Sequence, residues 1–230
     1  MLKILSWNIQ QGGGSRTSKI ISALSKENPE IFVLSEYRNN GHGQLLRNNF
    51  LKLGYTHQLS SHTEKETNCV IICSKLPFNG FHFPTADPTY SHGVLKAEFD
   101  AFSVYGVYLP HKKKHVLFNF LLKELEEATK PCILVGDYNS GINGVDQVGS
   151  SFKYSDFFPK AHKLDYVDAF RSKHGDVKEY SWYSHQGNGY RYDHSYLHKD
   201  LEPILTDCFY LHAYREKKYA DHSPMVVVLG

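Results

Sequence analysis

The stretch Cys132-Ile133-Leu134-Val135-Gly136-Asp137-Tyr138-Asn139-Ser140 is an apolar run that breaks at a glycine into an acid and an amide. Such a run reads as a buried strand, and side chains two apart in an extended chain share a face, so its end delivers Asp137 and Asn139 together. A carboxylate accepts a proton or hydrogen bond, whereas a carboxamide also donates, so the pair suits holding a water and a phosphoryl oxygen at once. A strand ending in an Asx turn has the same letters. The rest of the chain decides between the two.

Length and composition narrow the class. The chain has 230 residues, 41% hydrophobic and 22% charged, which predicts one globular domain over residues 1–230. The formal net charge is only +2, so any polyanion must be met by a local basic patch. Cys69, Cys73, Cys132 and Cys208 lack C-x-x-C spacing, and three lie in apolar strand-like runs, which argues against zinc and disulfides. Met1 to Trp7 already reads as a strand, not a leader, and no apolar run approaches membrane-spanning length. The expectation is a reduced, soluble, cytoplasmic protein with no membrane association and no obligate protein partner evident.

Several further elements end in polar residues. Leu2 to Ile9 is a strand delivering Asn8 before the loop Gln10-Gln11-Gly12-Gly13-Gly14, and Ser18 to Lys26 carries a helical stripe. Ile31 to Glu36 is a strand ending in a carboxylate, which needs either Arg38 or a metal to compensate it, and a metal is the favoured reading. Gln44 to Gly54 predicts a helix, Asn68 to Ser74 a strand, and Val94 to Phe99 with Phe102 to Leu109 a hairpin. That hairpin ends in Tyr108 and leads into His111-Lys112-Lys113-Lys114-His115, the densest basic cluster, which suits a phosphodiester backbone or an ordinary solvated loop. Val116 to Thr129 is the clearest amphipathic helix, and Leu164 to Arg171 also resembles a helical segment. Tyr180 to His185 and Tyr190 to Leu197 predict a hairpin through Gln186-Gly187-Asn188-Gly189. The last strand follows Asp221-His222, and Asp193 is the candidate partner that fixes the His222 tautomer.

The runs Ser6-Trp7-Asn8-Ile9, Leu34-Ser35-Glu36, Val107-Tyr108-Leu109-Pro110, Gly136-Asp137-Tyr138-Asn139, Arg191-Tyr192-Asp193 and Asp221-His222-Ser223-Pro224 occur in the order of the endonuclease/exonuclease/phosphatase superfamily. The chain resembles that superfamily over nearly its whole length, and in particular its apurinic endonucleases of the exonuclease III type and its deoxyribonucleases. The resemblance implies a four-layered α/β sandwich, two packed mixed sheets flanked by helices. It implies hydrolysis of phosphoesters with Mg²⁺ or Mn²⁺ on Glu36, and with Asp221 and Asn8 near the metal or its waters. Carried over by position, Asp137 activates the attacking water, Asn139 holds it or the phosphate, His222 backed by Asp193 stabilises developing charge, and Tyr108 contacts the phosphate or leaving group. Gln10 departs from the acid that apurinic endonucleases often carry there.

For the substrate, Trp182, Tyr183, Tyr190 and Tyr192 lie where apurinic endonucleases receive a flipped sugar; packing between sheets is the other reading for half of them. Alternation places Tyr190 and Tyr192 on one face with Trp182 or Tyr183 opposite. With Arg38, His111, Lys112, Lys113, Lys114 and Arg191 as candidate substrate contacts, the expected substrate is DNA, cut at phosphodiesters. The alternatives are a phosphatase or phosphodiesterase acting on a phosphoinositide or small phosphorylated molecule, and a non-catalytic binding module.

Overall fold

The computed structural model describes residues 1–86, 89–112 and 114–230. In chain order it runs through β1 (Leu2–Asn8), α1 (Thr17–Glu27), β2 (Ile31–Tyr37), α2 (Gly41–Lys52), β3 (His57–Ser60), β4 (Cys69–Ser74) and β5 (Asn79–His82). It continues with β6 (Val94–Glu98), β7 (Ser103–Tyr108), α3 (His115–Glu126), β8 (Cys132–Asp137), α4 (Phe157–Lys163), β9 (Tyr166–Asp168) and α5 (Ala169–His174). The last elements are β10 (Trp182–Tyr183), β11 (Gly189–Tyr190), β12 (Asp193–His198), β13 (Leu205–Tyr210), α6 (His212–Glu216) and β14 (Met225–Leu229).

Two six-stranded mixed sheets result, ordered β13-β14-β1-β2-β4-β3 and β5-β6-β7-β8-β12-β9. Alternation along the strands sorts their side chains. Ile4, Ile31, Val33, Ile133 and Val135 face the core between the sheets. Leu5, Phe32 and Leu34 instead pack on α1 and α2 through Ile20, Leu24, Leu46 and Phe50. Cys132 and Leu134 meet Leu117, Leu121 and Phe157 of α3 and α4. Period-two apolar patterning therefore generates helix, sheet, sheet and helix layers. At Gly106 the sheets nearly touch: a Cβ there lies 2.9 Å from both Val33 Cγ1 and Val70 Cγ1.

The topology also gathers the polar strand ends. β1 and β2 are parallel, as are β7 and β8, so Asn8, Glu36, Tyr108 and Asp137 emerge at one rim. β12 is antiparallel to β8 and pairs Asp193 directly with Asp137, bringing the start of β12 to that rim. β14 is antiparallel to β1, with Met225 opposite Ser6, so Asp221 and His222 arrive there as well.

Two expectations change. Leu164 to Arg171 is not one helix: Tyr166–Asp168 pairs with β12, and the Asp168 side chain then accepts from the Phe170 and Arg171 amides to start α5. Tyr180 to Leu197 is not one long hairpin. The β10–β11 ribbon pairs only Trp182 with Tyr190 and Tyr183 with Gly189, after which the chain leaves to join β8. Among the described residues, no helix is long and apolar enough to cross a membrane.

Candidate active site

Asp137 is buried at the centre of the rim. Its Oδ1 accepts the Asn139 amide at 2.8 Å, and its Oδ2 accepts Nδ2 of Asn8 at 2.8 Å and Nδ2 of Asn139 at 3.2 Å. The local backbone makes this possible. Gly136 has φ 154, and a Cβ there lies 1.8 Å from the Val107 carbonyl oxygen, so only glycine lets β8 pass β7 as it turns. Asn139 has φ 47, a left-handed conformation that asparagine tolerates better than most residues. Burial raises the Asp137 carboxyl to about 7 with the Asp193 charge adding to it, while His222 and the hydrogen bonds of Asn8 and Asn139 oppose.

His222 Nδ1 bonds Asp193 Oδ2 at 2.7 Å, with both side chains buried. Burial alone lowers an imidazole, but the Asp193 and Asp137 carboxylates outweigh it and lift His222 to about 10. Ring and carboxylate are held from outside. Trp7 Nε1 donates to the His222 carbonyl at 3.0 Å, and the Tyr192 and Asp193 amides donate to Ser181 Oγ at 3.1 and 3.2 Å. Asp193 Oδ1 is buried with no hydrogen-bond partner among the described residues.

Glu36 lies beside this cluster, half-buried, in a cradle of neutral donors. It accepts Asn8 Nδ2 at 3.1 Å, the Gln11 amide at 2.8 Å and Asn68 Nδ2 at 2.9 Å. Arg38 does not compensate it, because that guanidinium is engaged by Asn68 Oδ1 at 2.6 Å and Glu66 Oε2 at 3.1 Å. The Gln11 contact comes from an unusual loop: Gln10, Gln11, Gly12, Gly13 and Gly14 all have positive φ. Arg16 pins that loop by donating to the Gln10 carbonyl at 2.6 Å and joins it to the Asp221 side by donating to the Tyr219 carbonyl at 2.8 Å. Asp221 accepts Trp182 Nε1 at 3.3 Å, while its Oδ1 is buried with no partner among the described residues.

Carboxylate oxygens that no ion pair engages among the described residues are the donor set of a hard divalent ion, although the Arg16 charge lies near both Asp221 and Glu36. Glu36 in neutral donors and the partnerless oxygen of Asp221 both fit one. Asp137, Asp193 and His222 also offer three ligand atoms within 4.8 Å of one another, a second arrangement able to hold a metal. There, however, His222 Nδ1 already engages Asp193.

The structure brings Asn8, Glu36, Tyr108, Asp137, Asn139, Asp193, Asp221 and His222 to the one rim. Tyr108 is partly buried, and burial, then the Glu36 charge, pushes its hydroxyl above the usual tyrosine range. The candidate substrate contacts separate. Trp182, Tyr190 and Tyr192 form an aromatic wall next to His222, with Tyr190 and Tyr192 stacked at 5.4 Å and Trp182 5.4 Å from Tyr192. Trp182 thus joins the tyrosines, because it pairs directly with Tyr190 across the β10–β11 ribbon and cross-strand partners share a face, which leaves Tyr183 as the residue that alternation turns away. His111 is exposed and meets Tyr192 edge-on at 6.1 Å, and Lys112 is exposed, whereas Lys113 lies outside the described residues.

Two cations are not substrate contacts. Arg191 is fully buried and ion-paired to Asp146 and Asp168, since its alternation turns it under the wall. Lys114 is buried too, donating to the Tyr138 carbonyl at 3.3 Å and to that of Asn139. Three residues that organise the site were not singled out from sequence. Asn68 carried the available signal, an amide immediately before an apolar strand; Ser181 and Arg16 act through tertiary contacts that leave no local pattern.

The chain is similar to a DNA-(apurinic or apyrimidinic site) endonuclease from Dictyostelium discoideum, 23% identical over 260 residues, covering 99% of this chain and 70% of the relative. Its fold is similar to an AP endonuclease from Archaeoglobus fulgidus, with TM-score 0.86, 22% identity and coverage of 100% and 99% of the two chains. A 3′ phosphatase from Neisseria bound to a product DNA hairpin gives TM-score 0.85 at 20% identity over 100% of both chains. A 3′-5′ exonuclease from Neisseria meningitidis gives 0.84 at 21% over 99% of both. The model of the endonuclease/exonuclease/phosphatase family matches residues 5–222. The four-layered sandwich, the gathered strand ends and that match together make this chain a member of the endonuclease/exonuclease/phosphatase family of phosphoester-hydrolysing enzymes.

Proposed function

We propose that the chain is a divalent-cation-dependent nuclease acting on DNA, in the manner of an apurinic-site endonuclease or exonuclease. The observation that carries the reading is the buried Asp137, cradled by Asn8 and Asn139 beside the Asp193–His222 pair. A carboxylate lifted to about 7 is poised to take a proton from water at neutral pH. Asn139, fixed by Asp137 and by its own Nδ2 bond to the Leu109 carbonyl at 2.8 Å, orients that water. His222, kept protonated by Asp193, donates to the non-bridging oxygens as they gain charge. Tyr108 contacts the phosphate from the Glu36 side. Glu36, with Asp221 and Asn8 adjacent, would hold a Mg²⁺ or Mn²⁺ ion, which would supply Lewis-acid stabilisation of the phosphate oxygens.

The aromatic wall of Trp182, Tyr190 and Tyr192 beside His222 offers an amphipathic face to a sugar or base, and exposed Lys112 can meet the flanking backbone. The relatives named as acting on abasic DNA and the neighbour bound to a DNA hairpin support DNA over other phosphoesters. The test is a panel of intact, nicked, abasic and single-stranded oligonucleotides beside inositol phosphates, with Mg²⁺, Mn²⁺ or chelator. Cleavage of DNA that chelator abolishes and rising salt weakens is expected. Salt-insensitive turnover of inositol phosphates with intact DNA overturns the reading.

A further inference from the structure

Lys114 stands at the entry to α3, yet its side chain is among the largest fully buried ones in the molecule. Moving an ammonium out of water costs several kcal/mol unless a partner compensates it. Among the described residues no carboxylate ion-pairs with it. Burial accordingly pulls the amine down to about 8, with Asp137 opposing from a distance. Its hydrogen bonds go to two successive carbonyls, Tyr138 and Asn139, in the turn that leaves β8. That turn is where the chain adopts φ 47 at Asn139, and its two residues are buried, so their carbonyls need a donor from within the protein. The same conformation aims the Asn139 amide and side chain at Asp137.

We propose that Lys114 is a positioning residue for phosphoester hydrolysis: it locks the left-handed turn at Asn139, and through that turn sets the hydrogen bonds on Asp137. The inference rests on the nuclease reading, in which Asp137 receives the proton of water. Lys114 makes no hydrogen bond to Asp137 and, in this reading, acts on it through the turn and not through substrate. Lys112, two positions earlier, is its natural contrast, because that side chain is exposed and free to meet phosphate.

The test measures kcat, KM and the salt dependence of KM for wild type, Lys114→Met, Lys114→Arg and Lys112→Met. The substrate is a duplex bearing one abasic site, with Mg²⁺. Lys114→Met is expected to lose at least about tenfold in kcat, because displacement of a positioned group by about 1 Å costs up to 100-fold, while KM and its salt slope stay near wild type. Lys112→Met is expected to raise KM and reduce the salt slope by about one. Lys114→Arg keeps charge and donors and recovers part of kcat, so it keeps the test informative if the methionine variant does not fold. In an Asp137→Asn background, Lys114→Met should add little further loss, since the two act through one interaction. A Lys114→Met variant with raised KM, reduced salt slope and intact kcat makes Lys114 a phosphate contact and overturns the inference alone. Full additivity with Asp137→Asn, or an arginine variant no better than methionine, overturns it too. Wild-type protein that cuts no DNA overturns the nuclease reading together with it.

Discussion

Two buried clusters, one balanced in charge and one not, are reached from a single segment two residues apart. Arg191 belongs to the first, paired with Asp146 and Asp168, while Arg171 also binds Asp146. Asp193 belongs to the second, with His222 and Asp137. In the first cluster two guanidinium groups balance two carboxylates, and both acids sit below the usual carboxylate range, because Arg191 outweighs the cost of burial. In the second, two carboxylates share one imidazolium. Asp137 stays raised to about 7, and one Asp193 oxygen has no partner among the described residues. A balanced buried cluster holds a fold together, whereas an unbalanced one is held together by the fold. The difference separates structure from chemistry where adjacent sequence cannot.

The contrast breaks most readily at Asp137. Asp137→Asn should cut turnover by about 10³-fold, within the range for loss of a general base, with thermal stability unchanged or improved, because a raised buried acid is removed. Retained turnover in steady-state assays sinks the assignment of Asp137. Arg191→Met should do the reverse, costing about 3–5 kcal/mol in denaturant unfolding by stranding the buried Asp168 and leaving Asp146 to Arg171 alone. An Arg191 variant as stable as wild type removes the structural side of the comparison.

Acidity sharpens the contrast further. Asp146 and Asp168 have folded pKa values below the 3.8 of a free aspartate, so their stabilisation is complete above that value and drains away as pH falls below it. Asp137 has the opposite sign: its folded pKa of about 7 exceeds 3.8, so the native state binds the extra proton, and its contribution is lost as pH rises between the two. Urea unfolding from pH 2 to 8 in chelator should therefore show Arg191→Met flattening the acid limb below about 4 and Asp137→Asn flattening the limb from about 4 to 7. The same slope in both variants contradicts the assignment. The smallest effect belongs to neither cluster: Glu66→Ala, freeing Arg38 from a half-exposed pair, should change stability by less than about 1 kcal/mol.

Much of this molecule was legible in its sequence for a physical reason. Apolar strands ending in Asn8, Glu36, Tyr108 and Asp137 announce themselves, because burial dictates the run and chemistry dictates its end. The edge strands β3, β5 and β13 escaped notice because one-sided burial weakens their pattern; β5 is largely exposed. Arg191 and Lys114 were misread because a cation in sequence carries no mark of its burial, which tertiary partners alone decide. Ser181 and Arg16 were missed since their contribution is a contact with distant backbone.

The left-handed loop from Gln10 to Gly14 carries one more consequence. Glycines adopt such angles freely, but Gln10 and Gln11 do so at about 1–2 kcal/mol each. Folding bears that strain once, and in return a backbone amide already faces Glu36 before any ligand arrives. The loop is therefore set in advance: for a cation bound at Glu36, as proposed, its ordering cost would already have been met on folding, where a relaxed loop would have to order itself on every encounter.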